Sequence, residues 1–263
     1  MLRWILLLTF TLVIGNGCDK NVNPVDDPSA ALQRSNTAAI FSDSIADFSV
    51  NVIYEVGAIP YTGTIGLTAN QTWNITKASF QALFQNHVGR SVTVPTMIGQ
   101  MTQITDQGKN VWTAGELIQL GLRHAPKLIE SYDARVTVIF LNGMYNNDPN
   151  ILGVHFTGHP FAFVFKDVVL STGGNGVSQR YAEQATVVHE LGHVVGLVHN
   201  GIPMNAAHED GAHPRHSSNT QCVMYWQVES QSDILRSLAA AILGNKQNLF
   251  GPESLQDGRS YHP

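Results

Sequence analysis

The sequence predicts an α/β domain, and three observations carry that expectation. Stretches with strand-like alternation and β-branching are interleaved with stretches whose apolar residues recur at helical spacing, the order expected of helices packed on a sheet. The chain has 263 residues, 43% hydrophobic and 13% charged, which is long and apolar enough for one substantial core. Near residue 189 the apolar pattern continues through a helix that also carries two histidines four residues apart, so the earlier elements serve to frame that helix.

Each element has its own warrant. Phe48-Ser49-Val50-Asn51-Val52-Ile53-Tyr54-Glu55-Val56 alternates as a strand, and Gly57 and Pro60 end it. Ile75 to Val88 is predicted helical, with Phe80, Leu83, Phe84 and His87 on one side. Ser91 to Val94 makes a short strand before Pro95. Thr113 to Ile129 is a second helix, because Thr113 and Glu116 have capping-box spacing and Leu117, Leu120, Leu122 and Leu128 follow. Arg135 to Leu141 is the strongest strand and stops at Asn142-Gly143. Ile151 to Phe156 and Phe161 to Leu170 read as two more strands, separated by Thr157-Gly158-His159-Pro160. A Gly-rich loop at Ser171 to Gly176 follows, with Ser178 as the expected cap of the histidine helix. Ser232 to Leu243 reads as a closing helix with Ile234, Leu235, Leu238 and Ile242 on its apolar side. There is no internal repeat, sustained heptad or low-complexity block.

The N-terminal region differs in kind. Residues 1–17 pair Arg3 with an apolar run from Trp4 to Ile14, too short to span a bilayer comfortably and suited to an export signal. The run Val13-Ile14-Gly15-Asn16-Gly17-Cys18 resembles a bacterial lipoprotein cleavage region, although Gly15 stands where leucine is common. The resemblance implies lipid on Cys18 and attachment to a membrane of the bacterial cell envelope, with ordinary secretion as the alternative. Residues 18–45 are polar and small at their start and read as a tether, with local helix open at Ala30-Ala31-Leu32 and Ala38-Ala39-Ile40-Phe41. Residues 46–263 are then the catalytic domain. With two cysteines in all, the chain is no disulfide-framed miniature, and a lipidated Cys18 leaves Cys222 unpaired. A formal net charge of −5 supplies no basic field for nucleic acid.

His189-Glu190-Leu191-Gly192-His193 carries the chemistry. Histidines at i and i+4 share a helix face, so both imidazoles reach one ion, and Glu190 beside them is free to act on water. A catalytic zinc site needs a third protein ligand and one open position. His199 is the expected third ligand, because Gly196 permits an irregular backbone that ends the helix and returns the chain toward the metal.

These residues resemble the metzincin clan of zinc endopeptidases, whose pattern His-Glu-x-x-His-x-x-Gly-x-x-His matches positions 189, 190, 193, 196 and 199. Cys222-Val223-Met224-Tyr225 resembles the clan's Met-turn, which sets Met224 beneath the metal. The resemblance implies a metzincin-like zincin domain with a twisted mixed sheet, an active-site helix, a Met-turn and a C-terminal helix. It also implies one catalytic Zn2+ held by His189, His193 and His199, with Glu190 as general base acting on a protein or peptide substrate. Gly153, Val154, His155 and Phe156 would form the edge strand that pairs with that substrate. Two departures stand out. Trp226 occupies the place of a tyrosine ligand, and Ser217 replaces a cysteine that in related sequences often follows the last histidine, so no local disulfide to Cys222 can form. Four alternatives stay open. A downstream glutamate could replace His199 as third ligand. His208, Glu209, Asp210, His213 and His216, in the loop 200–221, could hold a second metal or merely line the substrate side. Glu183 and Glu209 are equal candidates for outer acids. Finally, a membrane-tethered protein could keep zinc without cutting anything.

Overall fold

In chain order the computed structural model contains α1 (Pro28–Phe41), β1 (Asp47–Glu55), α2 (Asn74–Leu83), β2 (Ser91–Thr93), β3 (Thr102–Ile104), β4 (Val111–Trp112) and α3 (Ala114–His124). Then come β5 (Ile129–Glu130), β6 (Asp133–Leu141), β7 (Met144–Tyr145), β8 (Gly153–His155), β9 (Phe161–Phe165), α4 (Lys166–Ser171) and α5 (Gly176–Val194). A 3-10 turn at Trp226–Glu229 precedes α6 (Ile234–Ser237), α7 (Ala239–Leu243) and α8 (Pro252–Ser260). The structure describes residues 27–66 and 69–263. Residues 1–17, read above as an export signal, and Cys18, expected there to carry lipid, lie outside the described residues.

The fold is α/β with a mixed sheet in the order β2-β1-β6-β9-β8, while β3 adds to β1 and β5 to β6. β1 runs parallel to β6 from Asp47 opposite Asp133 to Tyr54 opposite Phe140, and β6 runs parallel to β9. Both central strands end in unbroken buried runs, and the one charged residue among them, Glu55 at the end of β1, accepts from the Gln107 and Asn142 amides. β8 is antiparallel to β9 and forms one edge of the sheet. Its first residue must be small. A Cβ on Gly153 would stand 2.8 Å from Glu190 Cγ and 2.7 Å from Thr186 Cγ2, so the edge strand lies flat on α5.

α5 is the axis of the domain. Asn175, not Ser178, caps it: the Asn175 carboxamide oxygen accepts from the Val177 and Ser178 amides, each at 3.0 Å. Every residue from Tyr181 to Val194 is buried, with β8, β9 and α2 packed around the helix.

Three expectations need correction. Part of the segment read as a tether is α1, whose Gln33, Thr37, Ile40 and Phe41 are buried. Phe41 packs at a tilt against Phe84, with ring centroids 5.0 Å apart, and burying one such ring contributes roughly 1.5–3 kcal/mol toward holding this polar helix on the core. The strand expected from Phe161 to Leu170 ends at Phe165. There Lys166 turns inward to pair with the buried Glu183, and Asp167 accepts from the Gly143 amide at 2.6 Å, which together start α4. The closing helix divides at Leu238 into α6 and α7. α8 escapes apolar periodicity altogether, since Ser254, Asp257 and Gly258 are among the residues it buries. Among the described residues, no helix is long and apolar enough to cross a membrane.

Candidate metal centre

His189 and His193 face one side of α5, and their Nε2 atoms lie 3.0 Å apart. The backbone carbonyl of Val223 fixes the first ring, because it can only accept, and His189 Nδ1–H donates to it at 2.7 Å. Nε2 of a neutral His189 therefore carries a lone pair, the state a metal requires. Val223 precedes Met224, which is fully buried against the helix between the two histidines: a Cβ on Gly192 would lie 2.4 Å from Met224 Sδ. The turn predicted at Cys222–Tyr225 forms, with the Tyr225 amide donating to Cys222 O at 3.0 Å. Cys222 is a buried free thiol that accepts from the Met224 and Gly251 amides.

The third imidazole is His216. Its Nδ1–H donates to Pro214 O at 3.1 Å, and its ring lies 5.3 Å from that of His189 and 5.1 Å from that of His193. A tight hairpin delivers it. The Ser218 amide donates to His208 O and the Asp210 amide to His216 O, each at 2.7 Å. At the base of the hairpin the buried His208 bonds Asp257 of α8 at 2.8 Å through Nε2 and contacts Ser217 Oγ at 3.3 Å through Nδ1. The Ser217 amide donates to Met224 O at 2.8 Å. The turn at 222–225 thus positions His189 through one carbonyl and the neighbour of His216 through the next.

Glu229 completes the cluster. Its Oε1 is 3.1 Å from both His189 Nε2 and His216 Nε2 and 3.9 Å from His193 Nε2. The ligating atoms of these four residues lie within 4.8 Å of one another.

His199 is not in this group. It is exposed, with Nδ1 3.5 Å from Glu209 of the hairpin. The expected glycine return does occur, at φ +95° for Gly196, but it carries the chain onto α1 instead of toward the imidazoles. A Cβ on Gly196 would meet Thr37 Oγ1 at 2.4 Å, and the α5 carbonyls of His193 and Val194 accept from Gln33 Nε2. Leu197, Val198 and Ile202 fill the interior beside that turn, which leaves the polar His199 outside.

The donor set fits zinc. Two imidazole lone pairs 3.0 Å apart, one of them also facing a carboxylate, repel unless they share a proton or a cation. Tetrahedral zinc with Zn–N bonds of about 2.0–2.1 Å would set neighbouring nitrogens about 3.3 Å apart. Burial, then the adjacent His189 and His216, hold the His193 imidazole well below its ordinary value, so the ring is neutral. Burial, then the charge of Glu229, push the Glu190 carboxyl well up, and its Oε1 has no hydrogen-bond partner.

No family model matches the chain, and no curated protein matches it. Among solved structures it is similar to an archaemetzincin from Archaeoglobus fulgidus in complex with malonate, with 15% identity and a TM-score of 0.40 over 80% of this chain and 99% of that one. It is also similar to an archaemetzincin from Methanopyrus kandleri, with 14% identity and a TM-score of 0.38 over 76% and 97%. Likeness of this degree assigns no residue a role, and the donor set stands on its own geometry.

β8 borders the cluster. Gly153 lies over Glu190, and the His155 ring stacks on that of His193 at 6.3 Å while His155 Nε2–H donates to His159 O at 3.1 Å. The two candidate outer acids are occupied elsewhere, Glu183 with Lys166 and the Tyr61 amide and Glu209 with His199. Trp226 stacks on His213 at 4.1 Å and so ties the hairpin to the turn that carries Glu229. Sequence spacing alone did not select His216 or Glu229. The usable signal was the pattern of a last histidine followed by serine or cysteine shortly before the Met-turn, which points to His216-Ser217.

Proposed function

We propose that this protein is a zinc-dependent peptidase that holds one catalytic ion through His189, His193 and His216. The observation that supports this reading is the convergence of three imidazole nitrogens beside a buried carboxyl, Glu190, adjacent in sequence to the first ligand. Zinc bound there would supply Lewis acidity toward water and a peptide carbonyl. Burial favours the neutral form of Glu190, and a bound cation would favour the carboxylate, which would then accept the proton of the attacking water and return it to the leaving amine. Val223 O and Pro214 O keep the lone pairs of His189 and His216 turned inward. β8, at the sheet edge, holds an extended peptide by main-chain pairing across the site. Its register puts Gly153 directly against the Glu190 side chain, which sets the strand beside the general base.

Glu229 favours a second reading. Three histidines and one carboxylate can close the tetrahedron, and a closed site is structural instead of catalytic. One set of variants separates the two. Under the peptidase reading, Glu190→Gln keeps zinc and loses hydrolysis of a fluorogenic peptide by about 10²–10⁴-fold. Glu229→Ala keeps both zinc and turnover, and Val154→Pro keeps zinc but weakens turnover by distorting the edge. If wild type has no hydrolysis that a chelator abolishes, and Glu229→Ala loses zinc, the site is closed and the peptidase reading fails.

Export and lipid attachment at Cys18 form a separate proposal, supported by the apolar segment that ends at Gly17-Cys18. Intact mass of membrane-extracted protein should show an acylated Cys18 as the first residue, and an unmodified chain cut elsewhere would refute it.

A further inference from the structure

A second group of side chains able to hold a metal shares no residue with the cluster on α5. Asp43 follows α1, His87 follows α2, and His262 follows α8, so three separate stretches of chain meet there. One ligating atom from each lies within 4.8 Å of the other two. His262 Nδ1 is 3.4 Å from Asp43 Oδ1, and its ring sits 4.7 Å from that of His87. His87 is the informative member. It is 5% exposed, and its Nε2 lies 3.0 Å from Gly258 O, a carbonyl that can only accept. Nε2 therefore carries the proton and Nδ1 the lone pair, yet Nδ1 is buried with no hydrogen-bond partner. A buried lone pair left unsatisfied is costly and calls for a water or an ion.

Packing keeps this ring in place. Phe41 and Phe84 contact it edge-on at 5.3 and 5.7 Å, so it has no room to turn Nδ1 toward solvent. Asp43 and His262 are both exposed and free to adjust around an ion. The nearest fixed cation, Arg90, is turned to the carbonyls of Ile40, Ser42 and Ile45. A pre-set imidazole, a mobile imidazole and a mobile carboxylate form a nitrogen-rich set suited to zinc and its first-row neighbours rather than to calcium or magnesium.

We propose that Asp43, His87 and His262 form a second divalent transition-metal site, independent of the one on α5, which staples the end of the chain to the segments following α1 and α2. The site has three protein ligands and leaves its remaining positions to water. Its consequence is structural: α1, whose Gln33 and Thr37 support the exit of α5, is fixed at its C-terminal end by the ion.

Zn2+ is the probe. The full chain is equilibrated with Zn2+ and bound metal is counted per chain in wild type, His262→Ala, Asp43→Asn and the double variant His189→Ala/His193→Ala. Wild type should bind two ions and each of the other three proteins one. Since Asp43 and His262 are exposed, their variants should keep the wild-type fold by circular dichroism, and zinc should raise the Tm of the His189→Ala/His193→Ala protein until His262→Ala is added. Equal zinc content in wild type and His262→Ala would overturn the proposal. So would a folded His189→Ala/His193→Ala protein that binds none. Loss of the α5 site alone, with this one retained, would count against the peptidase reading and not against the second site.

Discussion

The two routes by which imidazoles reach the centre differ in how far apart in sequence their supports lie. α5 presents His189 and His193 by local rules: a capped helix, a spacing of four residues, and a wholly buried second half. The hairpin at 208–218 presents His216 by distant ones, since its shape depends on Asp257 in α8, on Met224 O and on Trp226. A helix carries its geometry within its own hydrogen bonds, while an irregular loop takes its geometry from whatever it packs against. The two helix imidazoles of the cluster can thus be read from five adjacent residues, and the third cannot.

This contrast can be broken experimentally from the hairpin side first. Asp257→Asn removes the carboxylate that anchors His208, and with it the base of the hairpin. Zinc affinity should fall by about 10-fold, the low end of the range for outer partners of a ligand, while far-UV circular dichroism stays unchanged. Unaltered affinity would mean that His216 is placed without the clamp. The helix side should respond differently. Gly192→Ala drives a methyl group into Met224 Sδ, so we expect a loss of about 1–3 kcal/mol in stability by urea unfolding, with a smaller change in zinc affinity because His189 and His193 stay on one helix. A larger loss of affinity than of stability would show that the Met-turn contact, and not the helix, sets the ligand geometry.

Much of the fold was legible for the same reason as the helix ligands. β1 and β6 show as strands because alternation and β-branching are local, and the capping box of Thr113 and Glu116 forms as its spacing predicts, with both reciprocal contacts present. Illegible parts are those whose burial is polar or whose partners are remote. α1 looks like a tether until Phe41 meets Phe84, and α8 hides Ser254 and Asp257 where apolar residues would have announced a helix. At Phe165 the strand pattern runs on in sequence, but the buried Lys166–Glu183 pair ends it, a contact no window of neighbouring residues contains. The exposed position of His199 has the same origin: Gly196 makes the turn its type permits, yet Thr37, about 160 positions earlier in the chain, decides where the turn goes.

The third ligand is the central claim, and two single substitutions measured side by side test it. Purified His216→Ala and His199→Ala are titrated with zinc against a competing chelator, with wild type as reference and circular dichroism to confirm the fold. The account predicts that His216→Ala loses about 100-fold or more in zinc affinity, beyond the range of outer-partner changes, while His199→Ala stays close to wild type. A folded His199→Ala that loses zinc while His216→Ala retains it would contradict the account and return the third ligand to the position the spacing of the motif first suggested.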